Sequence, residues 1–175
     1  MNKKFFFAGS GGQGILLMGQ MLATAGLREG KEVTFLPSYG PEMRGGTANC
    51  TVIVADAPIN CPLIYEADVV VAMNLPSLIK FESLVKPNGM LFVNSSLASA
   101  DSTRADVEEF RITANETAIS LGNERMANMV MMGLIIAKTG VVAMETIEQV
   151  LATVFSGARA RLLAPNQKAL AAFSE

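Results

Sequence analysis

Residues 5–14 read Phe5-Phe6-Phe7-Ala8 and then Gly9-Ser10-Gly11-Gly12-Gln13-Gly14, and an apolar helical run from Ile15 to Leu27 follows at once. This pattern is a short buried strand, a glycine-rich turn and a helix, with Gly9, Gly11 and Gly14 in the G-x-G-x-x-G spacing. Each glycine has a physical task. The first permits a tight turn, the second lets another group approach the backbone, and the third lets the helix pack closely on the sheet. The helix that follows aims free N–H groups and the positive end of its dipole over the loop. Two readings are open: an anionic or polar ligand held there, or a close-packed strand–helix corner with nothing bound.

A dinucleotide site also needs an acid about 20 residues further on, at the end of the second strand, to hold a ribose hydroxyl. The second strand is Glu32-Val33-Thr34-Phe35-Leu36, and its end is Pro37-Ser38-Tyr39-Gly40. Glu32 stands at the beginning of that strand, the wrong end of the sheet. The chain has the phosphate turn without the ribose clamp, which disfavours an ordinary NAD enzyme.

The length of 175 residues predicts one domain, residues 1–175, with a sizeable core. Hydrophobic residues make up 50% and charged residues only 17%, against a usual charged share of about 25%. This excess suggests surface buried against other chains, with a tightly packed ordinary core as the alternative. The net charge of −2 and the lack of a long basic run argue against nucleic acid. No stretch approaches the ~18–20 apolar residues of a membrane span. The apolar run at Phe5 ends at Gly9, too early for a signal peptide, so a cytoplasmic location is expected. Two cysteines, Cys50 and Cys61, are too few to hold an iron–sulfur cluster, which takes four ligands. With no histidine, imidazole base chemistry and most zinc sites fall away as well. Cys50 is read as a core residue of a strand. Such a chain is poorly equipped to catalyse a redox reaction alone.

Further along, Gly30 is a natural helix stop, and Gly19, Ala23 and Gly26 share the helix face that would lie on the sheet. The segment 37–47 is too short for a parallel crossover and too rich in Pro and Gly for a helix. Residues 32–36 and 48–55 are therefore expected to be antiparallel or staggered strands joined by a long exposed loop. That loop carries Tyr39, Glu42, Arg44, Gly45 and Gly46. Arg44 can fork onto a phosphate or carboxylate, or can pair with Glu42 or contact a neighbouring subunit. Residues 59–67 read as a short helical or irregular link. The run 68–73 reads as a central parallel strand, where Asn74 at its end either binds a ligand or caps the turn. A helix is expected over 77–85, a turn at Pro87-Asn88-Gly89, a strand over 90–93, a polar excursion over 98–109 and an edge strand over 110–113. Helices follow at about 115–121, 124–139, 144–155 and 165–173. Asn128, set among Met126, Met129, Met131 and Met132, needs a partner if buried. The expected fold is α/β: a Rossmann-like three-layer sandwich with a mostly parallel sheet, one or more antiparallel strands and a helical C-terminal part.

The glycine loop at 9–14, the string Ser38-Tyr39-Gly40-Pro41-Glu42-Met43-Arg44-Gly45-Gly46 and the run 68–74 occur in one order and spacing. Together they resemble the gamma subunit of the 2-oxoacid:ferredoxin oxidoreductases. Gly122-Asn123, Asn128 and Gly133 in the helical tail are similar too, so the resemblance covers nearly the whole chain. It implies a subunit of an enzyme that converts a 2-oxoacid and coenzyme A to an acyl-CoA, CO2 and reduced ferredoxin. It further implies thiamine diphosphate, Mg and iron–sulfur clusters in partner alpha, beta and ferredoxin-like delta subunits, with coenzyme A as co-substrate. The size suits the 2-oxoglutarate or 2-oxoisovalerate type, with pyruvate and indolepyruvate enzymes also open. The residues expected to bind cofactor are Gly9, Ser10, Gly11, Gly12, Gln13, Gly14, Tyr39, Arg44, Gly45, Gly46 and Asn74. No residue is expected to act as acid, base, nucleophile or metal ligand. Replacing Arg44 by Ala is expected to raise the coenzyme A requirement or disrupt assembly. Two alternatives stand beside this: a stand-alone nucleotide-binding domain, homodimeric when isolated, and a purely structural subunit with an empty glycine loop.

Overall fold

A computed structural model describes residues 1–39 and 47–173, without the side chain of Tyr39. The six strands are β1 (Asn2–Ser10), β2 (Glu32–Tyr39), β3 (Thr47–Ala55), β4 (Ala67–Ala72), β5 (Val85–Asn94) and β6 (Glu108–Ile112). The helices are α1 (Ile15–Arg28), α2 (Leu75–Phe81), α3 (Ala114–Ser120), α4 (Ala127–Thr139), α5 (Met144–Val154) and α6 (Leu163–Leu170). The strands form one sheet in the order β2-β3-β1-β4-β5-β6. β1, β4, β5 and β6 run parallel, while β3 lies antiparallel to both β1 and β2.

The apolar run of β1 follows from its place inside the sheet. Phe5 and Phe7 face one hydrophobic cluster, and Phe6 and Ala8 face the other. Val69 and Val71 of β4 divide from Val70 and Ala72 in the same way. A strand buried on both faces needs an unbroken apolar sequence rather than an alternating one. The first face carries α1, α3, α4, α5 and α6, and the second carries α2. The expected α/β layering is present.

Of the two arrangements that the Pro- and Gly-rich segment 37–47 left open, β2 and β3 take the antiparallel one, with Glu32 opposite Ala55 and Tyr39 opposite Ala48. Gly19 approaches Cys50 and Phe35, and Gly26 approaches Val33 and Val54, so the small-residue face of α1 does lie on the sheet. Several boundaries differ from expectation, among them β2, which runs on to Tyr39, and β6, which starts at Glu108 inside the expected polar excursion. The helix expected over 77–85 spans Leu75–Phe81 and gives way to a 3-10 turn, Glu82–Leu84. Asn74 caps it early by accepting the Ser77 N–H at 3.0 Å. Residues 87–89 lie inside β5 as an irregularity, where the pairing with β4 jumps from Ala67–Val85 to Val69–Met90. Asn88 there adopts a φ of 60°.

The central helix α4 explains much of the apolar excess. Every residue from Ala127 to Ile136 is buried, as expected of a helix that is hydrophobic all round. The methionine-rich run is thus internal packing, where an adaptable side chain fills irregular gaps. Among the described residues, no helix is long and apolar enough to cross a membrane.

Candidate functional site

Chain direction decides where a cleft can open. From β1 the chain passes through α1 to β2 on one side, whereas β4 lies on the other side of β1. The carboxyl ends of β1 and β4 therefore flank a switch point, where ligands collect in open α/β sheets. The glycine loop leaves β1 there, and Asn74 leaves β4.

Gln13 holds the loop to this crevice. Its Oε1 accepts from the Ser10 N–H at 2.6 Å and from Asn74 Nδ2 at 2.9 Å, and its Nε2 donates to the Met73 carbonyl at 3.2 Å. Asn74 Nδ2 also donates to Ser10 Oγ at 2.8 Å, while its Oδ1 caps α2. The Asn74 amide is taken up on both ends, and the residue is 8% exposed. Asn74 thus fastens the loop from beneath.

The glycines do different work from what their spacing suggests. Gly9 belongs to β1, and a β-carbon there would stand 2.7 Å from Gln13 Oε1 and 2.5 Å from Ile15 Cδ1. It makes room for Gln13 to fold back rather than for the turn itself. Gly12 and Gly14 carry the turn, with φ of 94° and 74°, values that only glycine adopts freely. A β-carbon on Gly14 would meet Asn128 rather than the sheet. The third glycine therefore admits α4, not the strand packing its place in the motif implies.

Above the loop lies a cleft of about 220 Å³, lined by Gly12, Gln13 and Met73 on one side and by Asn115, Arg125 and Asn128 on the other, with Leu97 and Glu124 at its margin. Gly14 caps α1 without a side chain, so the first-turn amides are left to solvent or a ligand. Asn128 is 6% exposed, and its Oδ1 accepts from the Met129 N–H at 3.0 Å. Among the described residues its Nδ2 has no acceptor. The Arg125 side chain, exposed at the rim, likewise pairs with no carboxylate among them. Asn115 Nδ2 donates to Glu124 Oε1 at 2.8 Å. The cleft thus offers amide donors, one guanidinium and one tethered carboxylate. Such a set can hold an anionic or multiply accepting group, and among the described residues it contains no acid–base or nucleophilic pair.

Gly12 and Gln13 line the cleft and Ser10 and Asn74 support it, whereas Arg44, Gly45 and Gly46 lie outside the described residues. The Tyr39 backbone stands opposite Ala48, which in turn pairs with Gly9. Thr47 pairs with Ser10. Both residues flanking the segment 40–46 are therefore at the glycine-loop end of the sheet, and Glu32 is at the other end. Sequence reasoning did not place Asn115, Glu124 or Arg125 in the site. Asn128 had one signal, a polar residue inside an apolar helix. Cys50 is fully buried in β3, and burial pushes its thiol up to about 12, as suits a core residue.

A strand–glycine turn–helix unit at the switch point of a mixed sheet, walled by a second helix, defines an α/β domain with a cleft at that point. Residues 4–174 match the model of the pyruvate ferredoxin/flavodoxin oxidoreductase family, and the chain belongs to that family. It is 40% identical over 130 residues to the ketoisovalerate oxidoreductase subunit VorA of Methanothermobacter thermautotrophicus, covering 74% of this chain and 27% of that protein. The chain thus spans about a quarter of the length of that relative. It is 35% identical over 156 residues to the 2-oxoglutarate synthase subunit KorC of Methanothermobacter marburgensis, covering 85% of this chain and 84% of that one. Among solved structures, the gamma subunit of a keto/oxoacid ferredoxin oxidoreductase from Geobacter sulfurreducens superposes with a TM-score of 0.87 at 29% identity. The match covers 99% of this chain and 95% of that chain. The 2-oxoglutarate:ferredoxin oxidoreductase from Magnetococcus marinus, with 2-oxoglutarate, coenzyme A and succinyl-CoA bound, gives a TM-score of 0.88 at 25% identity. That match covers 99% of this chain and 31% of the other.

Proposed function

We propose that this chain is the gamma subunit of a cytoplasmic 2-oxoacid:ferredoxin oxidoreductase, acting as one domain within a complex of alpha, beta and ferredoxin-like delta subunits. The observation that carries the reading is the pair of full-length superpositions, one on a free gamma subunit and one on under a third of a larger oxidoreductase chain. The same unit that forms a separate chain in one protein is a built-in part of the other. The remaining chemistry, with thiamine diphosphate, Mg and iron–sulfur clusters, falls to the partner subunits.

In this reading the glycine-loop end of the chain faces the thiamine-bearing subunits and forms part of the coenzyme A path. The cleft, at about 220 Å³, is smaller than the ~300–1,000 Å³ of typical small-molecule pockets. It suits a phosphate- or ring-sized part of coenzyme A, with Arg125, the Asn128 amide and the first turn of α1 as donors. Arg44 is the further anion contact, and Gly45 and Gly46 let its segment adapt. Gly9, Ser10, Gln13 and Asn74 shape the loop.

The test is a tagged pull-down from the native host, with bound proteins, iron and thiamine diphosphate quantified, then acyl-CoA formation assayed over a panel of 2-oxoacids with ferredoxin. The expected result is co-purification with thiamine- and cluster-bearing chains and coenzyme A-dependent turnover of one or a few 2-oxoacids. Recovery of a lone homo-oligomer, free of iron and thiamine, would overturn the reading and favour a stand-alone nucleotide-binding domain.

A further inference from the structure

Beneath the cleft, one polar side chain touches neither ligand space nor solvent. Asn94, the last residue of β5, is 0% exposed, and its amide is used at both ends. Its Oδ1 accepts from the Ala114 N–H at 3.2 Å, at the start of α3. Its Nδ2 donates to the Met73 carbonyl at 3.3 Å and to Asn115 Oδ1 at 2.8 Å. Met73 O is also the acceptor of Gln13 Nε2, and Asn115 passes its own amide on to Glu124. A continuous line of hydrogen bonds thus runs from Gln13 through Met73, Asn94 and Asn115 to Glu124, joining the glycine-loop wall to the wall at the start of α4.

The donor and acceptor roles in this line are fixed, with the Met73 carbonyl accepting from both sides. An amide oxygen only accepts and an amide nitrogen only donates, so flipping or replacing one member breaks the bonds on both its sides. A buried network that is fully satisfied is stiff, and one that loses a donor is left with facing acceptors in a medium of low dielectric. We infer that Asn94 is a positioning residue. It touches no ligand itself, but through Met73 and Asn115 it fixes the separation of the two walls and so the fit of the group held between them. The ligand assignment in this inference rests on the coenzyme A reading above; the coupling of the walls does not.

Asn94→Asp keeps the shape and the acceptor for Ala114 but sets an oxygen against Met73 O and Asn115 Oδ1. Asn115→Ala, at a half-buried position, cuts the tie between Asn94 and Glu124 and serves if the first variant does not fold. Amide hydrogen exchange on the full chain reads the walls, and the apparent KM values for coenzyme A and 2-oxoacid in the assembled complex read the fit. In Asn94→Asp the Ser10 amide, held by Gln13, is expected to exchange about tenfold faster while the amides pairing β1 with β3 keep their rates. In Asn115→Ala the Met126 amide, which donates to the Asn123 carbonyl in the 3-10 turn that carries Glu124, is expected to do the same. In Asn94→Asp, whose side chain does not line the cleft, the KM for coenzyme A is expected to rise about tenfold, the factor one lost hydrogen bond supplies, with the KM for the 2-oxoacid unmoved. Unchanged exchange at Ser10 in a folded Asn94→Asp, or at Met126 in Asn115→Ala, overturns the inference. Faster exchange with an unchanged coenzyme A KM upholds the positioning role and counts against coenzyme A as the occupant.

Discussion

The Asn128 side chain lies against the backbone of Gly14, so closely that a β-carbon on Gly14 would overlap Nδ2 and stand 2.9 Å from Cγ. This contact joins the first helix's cap to the start of α4 and closes the cleft on that side. Gly14→Ala meets two penalties, a φ of 74° and the occupied space, whereas Gly12→Ala, with φ of 94° and nothing within 4 Å, meets only the first. Backbone strain of this kind costs about 1–3 kcal/mol. Gly14→Ala should therefore lose more stability than Gly12→Ala in urea unfolding, and adding Asn128→Ala should return part of the difference as a coupling energy. Equal losses in the two glycine variants would mean that Asn128 moves aside freely.

A second glycine sets the C-terminal packing. A β-carbon on Gly133 of α4 would overlap the Leu170 carbonyl oxygen and lie 2.9 Å from its carbon. The obstacle is backbone, which cannot swing away as a side-chain tip can. Gly133→Ala should cost about 1–3 kcal/mol by overpacking and loosen α6. Limited proteolysis is the check, with cleavage C-terminal to α5 appearing earlier than in the parent chain.

The two thiols should differ sharply in reactivity. Cys61 is exposed, while Cys50 is buried, with burial raising its pKa to about 12. Because the thiolate is the reacting form, a disulfide reagent near neutral pH should label Cys61 quickly and Cys50 only on unfolding. Mass spectrometry of the native and urea-treated chain should read one and two adducts. Rapid native labelling of Cys50 would show that β3 opens locally.

Acid should weaken the fold through Glu82. Burial alone would raise its pKa, but hydrogen bonds from the Thr103 and Ser102 hydroxyls and the Thr103 N–H, with the charge of Arg104, outweigh it and hold the carboxyl below its ordinary value. Glu29 is lowered in the same manner, burial being outweighed by Lys31, the Ala143 N–H and Thr146. With the folded pKa depressed, the unfolded chain binds more protons in acid. This stability is present above the ordinary glutamate value of about 4.3 and is lost as pH falls through the folded value. The urea midpoint should fall as pH drops from about 5 toward 3, and Glu82→Gln should flatten part of that slope. An identical slope in the variant would remove Glu82 from the cause.

Much of this was legible in the residues. The run Phe5–Ala8, the glycine spacing and Ile15–Leu27 read directly as strand, turn and helix because their contacts are local and their periodicity is strong. The short Pro- and Gly-rich segment 37–47 ruled against a parallel crossover and left antiparallel or staggered strands, of which the fold takes the antiparallel pair. Elements bounded by irregular chain were less clear. Pro87-Asn88-Gly89 read as a turn because its residues favour one, and they do step out of the pairing with β4, which jumps from Val85 to Met90; that the strand assignment runs on through them was not legible. The methionine run read as core ahead of contact surface, and α4 is buried as that reading expected, although methionine suits both settings.

The sequence by itself determined the α/β class, the β1–turn–α1 unit, the core placement of Cys50 and the family to which the chain belongs. Tertiary structure alone decided that Gly14 makes room for Asn128, that Asn74 and Gln13 spend their amides on the loop, and that Asn94 and Asn115 join the cleft's two walls. The physical reason is sequence separation. A strand or helix announces itself through residues two to four positions apart, whereas the cleft is assembled by residues from Gly12 to Asn128 that lie far apart in the chain, leave no periodic trace and meet only when the sheet brings the ends of β1, β4 and β5 together.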